Sequence, residues 1–126
     1  MEKKIVTAIS APAPIGPYSQ AVMAGKFLFV SGQIAINSVS GQLMTSDIET
    51  ETRQVMQNIQ TILVEAGMNF ASIVKTTIFL KDMNNFAKVN EVYGLYFSGD
   101  FPARETVEVS RLPKDVNVEI SVIAAE

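Results

Sequence analysis

The chain is 126 residues long, room for one domain (residues 1–126), with 48% apolar and 18% charged residues and a net charge of −3. It contains no cysteine and no histidine, which excludes disulfides, thiolate nucleophiles, Cys-ligated zinc and imidazole acid–base chemistry. Lys and Arg are scattered, so the footprint of a dedicated duplex-binding protein is missing and nucleic acid is not the expected partner. The charged share is low for a globular chain and leans towards a surface partly covered by another subunit.

The N-terminus, Met1-Glu2-Lys3-Lys4-Ile5-Val6, has two lysines but no apolar stretch of signal-peptide length behind them. No segment approaches the roughly 20 apolar residues of a membrane span. The expectation is a soluble cytoplasmic protein with no membrane partner. Residues 11–18, Ala-Pro-Ala-Pro-Ile-Gly-Pro-Tyr, hold three of the five prolines and read either as an ordered extended loop or as a flexible one. Residues 19–24 and 26–31 read as two strands joined at Ala24-Gly25-Lys26, with Ser31-Gly32-Gln33 breaking the apolar run. Asn37 to Gly41 is a loop by composition.

The clearest helix begins near Ser46, where Ser46 and Glu49 have capping-box spacing. Ile48, Thr52, Val55, Ile59, Ile62, Leu63 and Ala66 recur at helical intervals, and Gly67 is placed to end the helix in a left-handed cap. Ile73 to Lys81 is β-branched and reads as a strand with both faces partly buried. A second helix starts near Asn84, with Phe86, Val89, Tyr93 and Tyr96 or Phe97 on its inner stripe, and stops at Ser98-Gly99-Asp100. Residues 104–110 alternate, Val107 and Val109 against Arg104, Thr106, Glu108 and Ser110. After the turn Leu112-Pro113-Lys114-Asp115, residues 116–125 place Val116, Val118, Ile120, Val122 and Ala124 on one face, and Asn117, Glu119, Ser121 and Ile123 on the other. The order predicts an α+β domain, a single sheet with both helices on one face. The remaining face of the last two strands is polar but not highly charged, and meets water or another subunit.

With Cys and His absent, chemistry falls to carboxylate, guanidinium, hydroxyl, amide or backbone groups. Arg104 follows the stiff, apolar Phe101-Pro102-Ala103 and opens a strand. It is either an ordinary surface arginine or a fixed fork offering two parallel donors to a carboxylate. Glu119, between Val118 and Ile120, is either solvent-facing or, under a neighbouring chain, a base or water-orienting group. In the second case desolvation and the arginine pull its pKa in opposite directions. Tyr18 is equally readable as core or as a hydroxyl at a pocket edge. Ser31-Gly32 reads as a simple turn or as a place where backbone approaches a ligand closely.

Several stretches together resemble the RidA/YjgF family of reactive enamine/imine deaminases. They are Ala13-Pro14-Ile15-Gly16-Pro17-Tyr18-Ser19-Gln20, Val30-Ser31-Gly32-Gln33-Ile34, Val74 through Asp82, Phe101-Pro102-Ala103-Arg104, and Arg111-Leu112-Pro113-Lys114-Asp115 with Val118-Glu119-Ile120. The resemblance spans essentially the whole chain. It implies a chorismate-mutase-like fold and a homotrimer with clefts between subunits. The implied reaction is hydrolysis of 2-iminobutanoate or 2-iminopropanoate, without cofactor or metal, to a 2-keto acid and ammonia. It makes Arg104 the grip on the substrate carboxylate, Glu119 the group that positions water, and Tyr18 a cleft-lining residue, with Ser31, Gly32 and Asn90 near the ligand. Some relatives are described as regulators or RNA-cleaving proteins, so a metabolite-sensing role for the same cleft stands as the alternative. Thr106 takes the place of a cysteine common in relatives, Glu105 replaces a small residue, and the loop at Ser98-Asp100 is short.

Overall fold

The computed structural model describes residues 2–126; Met1 lies outside the described residues. The elements run β1 (Lys3–Val6), β2 (Ala21–Ala24), β3 (Phe27–Gln33), α1 (Ile48–Glu65), β4 (Ile73–Leu80), α2 (Phe86–Gly94), β5 (Ala103–Glu108) and β6 (Val118–Ala125). All six strands share one sheet in the order β1-β2-β3-β6-β4-β5. Neighbours are antiparallel except β4 and β5, which run parallel with α2 as their crossover. A single mixed sheet with both helices on one face is the architecture the order of elements predicts.

Local chemistry explains most boundaries. Gly25, at φ 61°, supplies the positive φ of the two-residue β2–β3 turn. Helix α1 ends at Gly67 (φ 75°), where Gly67 N–H donates to the Val64 carbonyl and Met68 N–H to that of Leu63, closing a Schellman motif. At its other end the N-cap is Asp47, not Ser46: Asp47 Oδ1 accepts from Thr50 N–H at 2.7 Å. The expected Ser46–Glu49 box gives way because the aspartate, one residue later, offers a charged acceptor at the positive end of the helix.

Other boundaries differ from the sequence reading. β1 carries no pattern strong enough to announce it, and forms by pairing with β2. β3 does not break at Ser31-Gly32-Gln33 but runs through it, with a register shift against β6 between Val30 and Gln33. β6 starts at Val118, because Lys114 and Asp115 (both φ 56°) turn the chain first. Tyr96 and Phe97 lie beyond α2, in an aromatic cluster with Phe70, Tyr93 and Phe101.

The core lies between helices and sheet: Val55, Met56, Ile59, Ile62 and Leu63 of α1 meet Leu28 and Val30 of β3, Ile78 and Leu80 of β4, and Ile120 and Val122 of β6. Burying each such side chain contributes about 1.5–3 kcal/mol. The opposite sheet face is covered only in part among the described residues, where Phe79 packs against a small cluster of Ile34, Leu112 and Val116. Phe27, Phe29 and Ile5 stand there about half exposed (48%, 46% and 50%), with Ile123, Thr77 and Ser121 beside them and a Lys75–Glu105 ion pair at 3.1 Å. Among the described residues no helix is long and apolar enough to cross a membrane.

Candidate functional site

Arg104 is the second residue of the edge strand β5, in register with Thr76 of β4. Thr76 is fully buried under the helices, so Arg104, sharing its pleat, is on the helix side of the sheet. Its guanidinium carbon lies 5.1 Å from the Tyr93 ring centroid and 5.8 Å from that of Phe86, both on α2. Tyr93 is itself fixed, its hydroxyl donating to Thr76 Oγ1 at 2.9 Å. Burial pushes the Tyr93 phenol up, so the ring under the cation stays neutral. Among the described residues Arg104 has no ion-pair partner. Aromatic faces hold the planar cation and leave its N–H edges free, the arrangement that suits a carboxylate. Asn90, Gly94, Phe101 and Pro102 complete the recess. On the same side, two residues along, Thr106 Oγ1 is buried without a hydrogen-bond partner.

The second group of residues gathers around Glu119 of β6. Here the proline loop, Ser31-Gly32 and Pro113 form a recess with Ile15, Tyr18 and Glu119. The loop is ordered, and the prolines are not alone in ordering it. Buried Gln20 accepts from Ala8 N–H at 2.6 Å and donates to the carbonyls of Ala8 and Pro12 at 3.2 and 2.8 Å. Tyr18 is half exposed at the rim, its hydroxyl oxygen accepting from Ile15 N–H at 3.2 Å and its O–H proton left to donate. Ser31 spends its O–H on the Ser19 carbonyl at 2.6 Å, so towards a ligand its hydroxyl offers lone pairs.

Glycine 32 is needed for a reason the sequence did not show. A Cβ there would lie 2.8 Å from Glu119 Cδ and closer still to Oε2. The missing side chain makes room for the carboxylate to lie flat against β3. Burial pushes the Glu119 carboxyl above its ordinary value, with no hydrogen bond or cation opposing the shift.

Within one chain these groups form two separate clusters, Arg104 with Asn90 on the helix side and Glu119 with Tyr18, Ser31 and Gly32 on the open side. The sequence reading puts Arg104 and Glu119 on a common polar face, and within one chain the structure corrects this; the arginine's pull on the glutamate is expected only under a neighbouring chain. Alternation shows which residues of one strand share a face, but not which side of the sheet that face becomes. Glu119 is in register with Phe79 of β4, whereas Arg104 is in register with Thr76, which points to the other side. Asn117 also leaves the Glu119 face: it precedes the strand, and its side chain donates to Glu51 on α1 at 2.8 Å. Glu105 lies on the open face, hydrogen-bonded by Thr77 and paired with Lys75, which holds its carboxyl below the ordinary range. The roles of Tyr93 and Phe86 under Arg104 escaped notice because their spacing reads as core. Among the described residues no cluster of three acids could hold a metal ion.

Gly32→Ala is expected to destabilise the fold by about 1–3 kcal/mol through overpacking, and Gly32→Ala/Glu119→Ala to recover most of that loss. Chemical denaturation of the three variants reads this. A double variant no more stable than Gly32→Ala would place the clash elsewhere.

The profile of the family described as endoribonuclease L-PSP matches residues 8–126. A RutC family protein of Pyrococcus horikoshii is 54% identical over 122 residues, covering 97% of both chains. The mouse protein named 2-iminobutanoate/2-iminopropanoate deaminase is 44% identical over 124 residues, covering 98% of this chain and 92% of its own. The crystal structure of E. coli TdcF with bound serine superposes with a TM-score of 0.93 at 40% identity, covering 98% of both chains. With its sheet, its two helices and its sequence matched nearly end to end, the chain belongs to the RidA/YjgF family.

Proposed function

We propose that this protein hydrolyses small 2-imino and enamine acids, 2-iminobutanoate and 2-iminopropanoate among them, to 2-keto acids and ammonia. The carrying observation is that an unpaired guanidinium on an aromatic shelf and a desolvated carboxylate stand on opposite faces of one sheet. A ligand that needs both must lie between two chains. Both a two-fold pair and a closed ring bring the arginine of one subunit to the glutamate of another. A ring of three accords with the family resemblance, and the weakly charged, partly aromatic open face supplies surface for it to bury. The naming of the mouse relative and the serine bound to E. coli TdcF, itself a small α-carboxylate, support the substrate class.

The chemistry asks little of the protein. Arg104 of one subunit binds the carboxylate through paired charge-assisted hydrogen bonds and fixes the imine carbon in place. With the imine protonated at nitrogen, Glu119 of the next subunit accepts a proton from water as the water oxygen bonds to that carbon and the C=N electron pair moves to nitrogen, giving a neutral carbinolamine. Glu119 then passes that proton to nitrogen. The C–N electron pair leaves with ammonia, and the hydroxyl gives its proton to the Glu119 carboxylate as the ketone forms; that proton is the one the imine brought, and it leaves on ammonia as ammonium. Neither thiol nor imidazole is required.

Arg104→Ala is expected to lower kcat/KM on the order of 100-fold, the scale of losing charge-assisted hydrogen bonds. Arg104→Lys is expected to recover only part, because an ammonium cannot form the fork. Release of 2-keto acid from an imine generated in place by a threonine dehydratase gives the readout. An intact oligomer of Arg104→Ala with full activity would remove the reading, and tight keto-acid binding without turnover would favour the sensor role. Glu119 acts ionised and burial raises its pKa, so kcat/KM is expected to fall on the acid side with a midpoint above 4.5, the ordinary glutamate value. An acid limb that survives in Glu119→Gln would contradict its role.

A further inference from the structure

Glu51, the fourth residue of α1, is fully buried (0% exposed) and has no cation within ion-pair distance among the described residues. A buried carboxylate is costly to desolvate, and this one is compensated entirely by donors from one short stretch of chain 66 residues away. Glu51 Oε2 accepts from Asn117 N–H at 2.7 Å and from Val118 N–H at 3.1 Å, and Oε1 accepts from Asn117 Nδ2 at 2.8 Å. The first-turn position of Glu51 lets the positive end of the helix share in holding the charge.

The stretch it grips is the start of β6, directly before Glu119. The Asn117 carbonyl accepts from Lys81 N–H at 3.0 Å, so residue 117 is held by α1 on one side and by the end of β4 on the other. Just upstream, Lys114 and Asp115 both adopt φ 56°, a left-handed conformation that side chains disfavour. A strained turn leads into the strand, and the Glu51 hydrogen bonds hold the chain between that turn and Glu119. On the far side, Gly32 leaves the Glu119 carboxylate its resting place.

We propose that Glu51 is a positioning residue for the reaction, acting through the Asn117–Val118 backbone to fix Glu119 against Gly32. The inference rests on the assignment of Glu119 to water activation, and the test separates the two. Glu51→Ala is expected to lower kcat roughly 10- to 100-fold, the scale of a misplaced catalytic group, with little change in KM, since Arg104 lies elsewhere. In a Glu119→Gln background the same change is expected to have almost no further effect on kcat, because its route has been removed. Glu51→Gln is expected to restore most of kcat, its amide oxygen still accepting from both backbone N–H groups while Asn117 turns its amide to meet the new NH2.

Assays use intact oligomer, confirmed by light scattering. Should Glu51→Ala fail to fold, Asn117→Ala takes its place, with a smaller kcat loss that again disappears in Glu119→Gln. If Glu119→Gln is fully active, the reading of the site fails. If Glu119→Gln is impaired but the Glu51 or Asn117 change lowers kcat equally in both backgrounds, or lowers it in neither, the positioning role fails. Glu51→Gln as poor as Glu51→Ala would also overturn it, since geometry would then not be what Glu51 supplies.

Discussion

The pleat of a β-sheet keeps Arg104 and Glu119 apart. Residues in register on neighbouring strands point the same way, and their sequence neighbours point the opposite way. Thr76 sends Arg104 towards the helices, and Phe79 sends Glu119 away from them. No side-chain rotation reverses that parity. One chain thus holds an arginine on one face and a carboxylate on the other that it cannot bring together, and on the open face Ile5, Phe27 and Phe29 stand about half exposed.

Each group is held by elements that look unremarkable in sequence. The arginine rests on Tyr93, which is tied to Thr76; the glutamate rests where Gly32 has no side chain. The proline loop beside it depends on buried Gln20 as much as on its prolines. Glu119 carries a stability cost of its own. Its folded pKa lies above the unfolded one, so its contribution is fully present below the unfolded value and is lost as pH rises through the folded value. At neutral pH the ionised group works against folding.

What the sequence made legible was local. The turn at Gly25, the apolar stripe of α1, the stop at Gly67 and the placing of Arg104 at the start of a strand all follow from neighbours a few residues apart. What stayed hidden was long-range. β1 forms by pairing with β2, Glu51 reaches its partners 66 residues away, and the side of the sheet that a strand's polar set faces depends on register with other strands. The N-cap fell to Asp47 instead of Ser46 because adjacent candidates compete, and the charged one has the stronger bond. Arg104, Glu119 and Tyr18 stood out as candidates by residue type and resemblance; the division of Arg104 and Glu119 between two faces was not legible.

Mixing two inactive variants tests the shared site most directly. Arg104→Ala and Glu119→Gln are each assayed alone, then co-refolded in equal amounts so that subunits assort at random. If each site takes its arginine from one subunit and its glutamate from the next around a ring, about a quarter of the mixed sites carry both groups intact, and activity returns to that order. If both residues served the same site from a single chain, no mixture would contain an intact site, and activity would stay at the level of the separate variants.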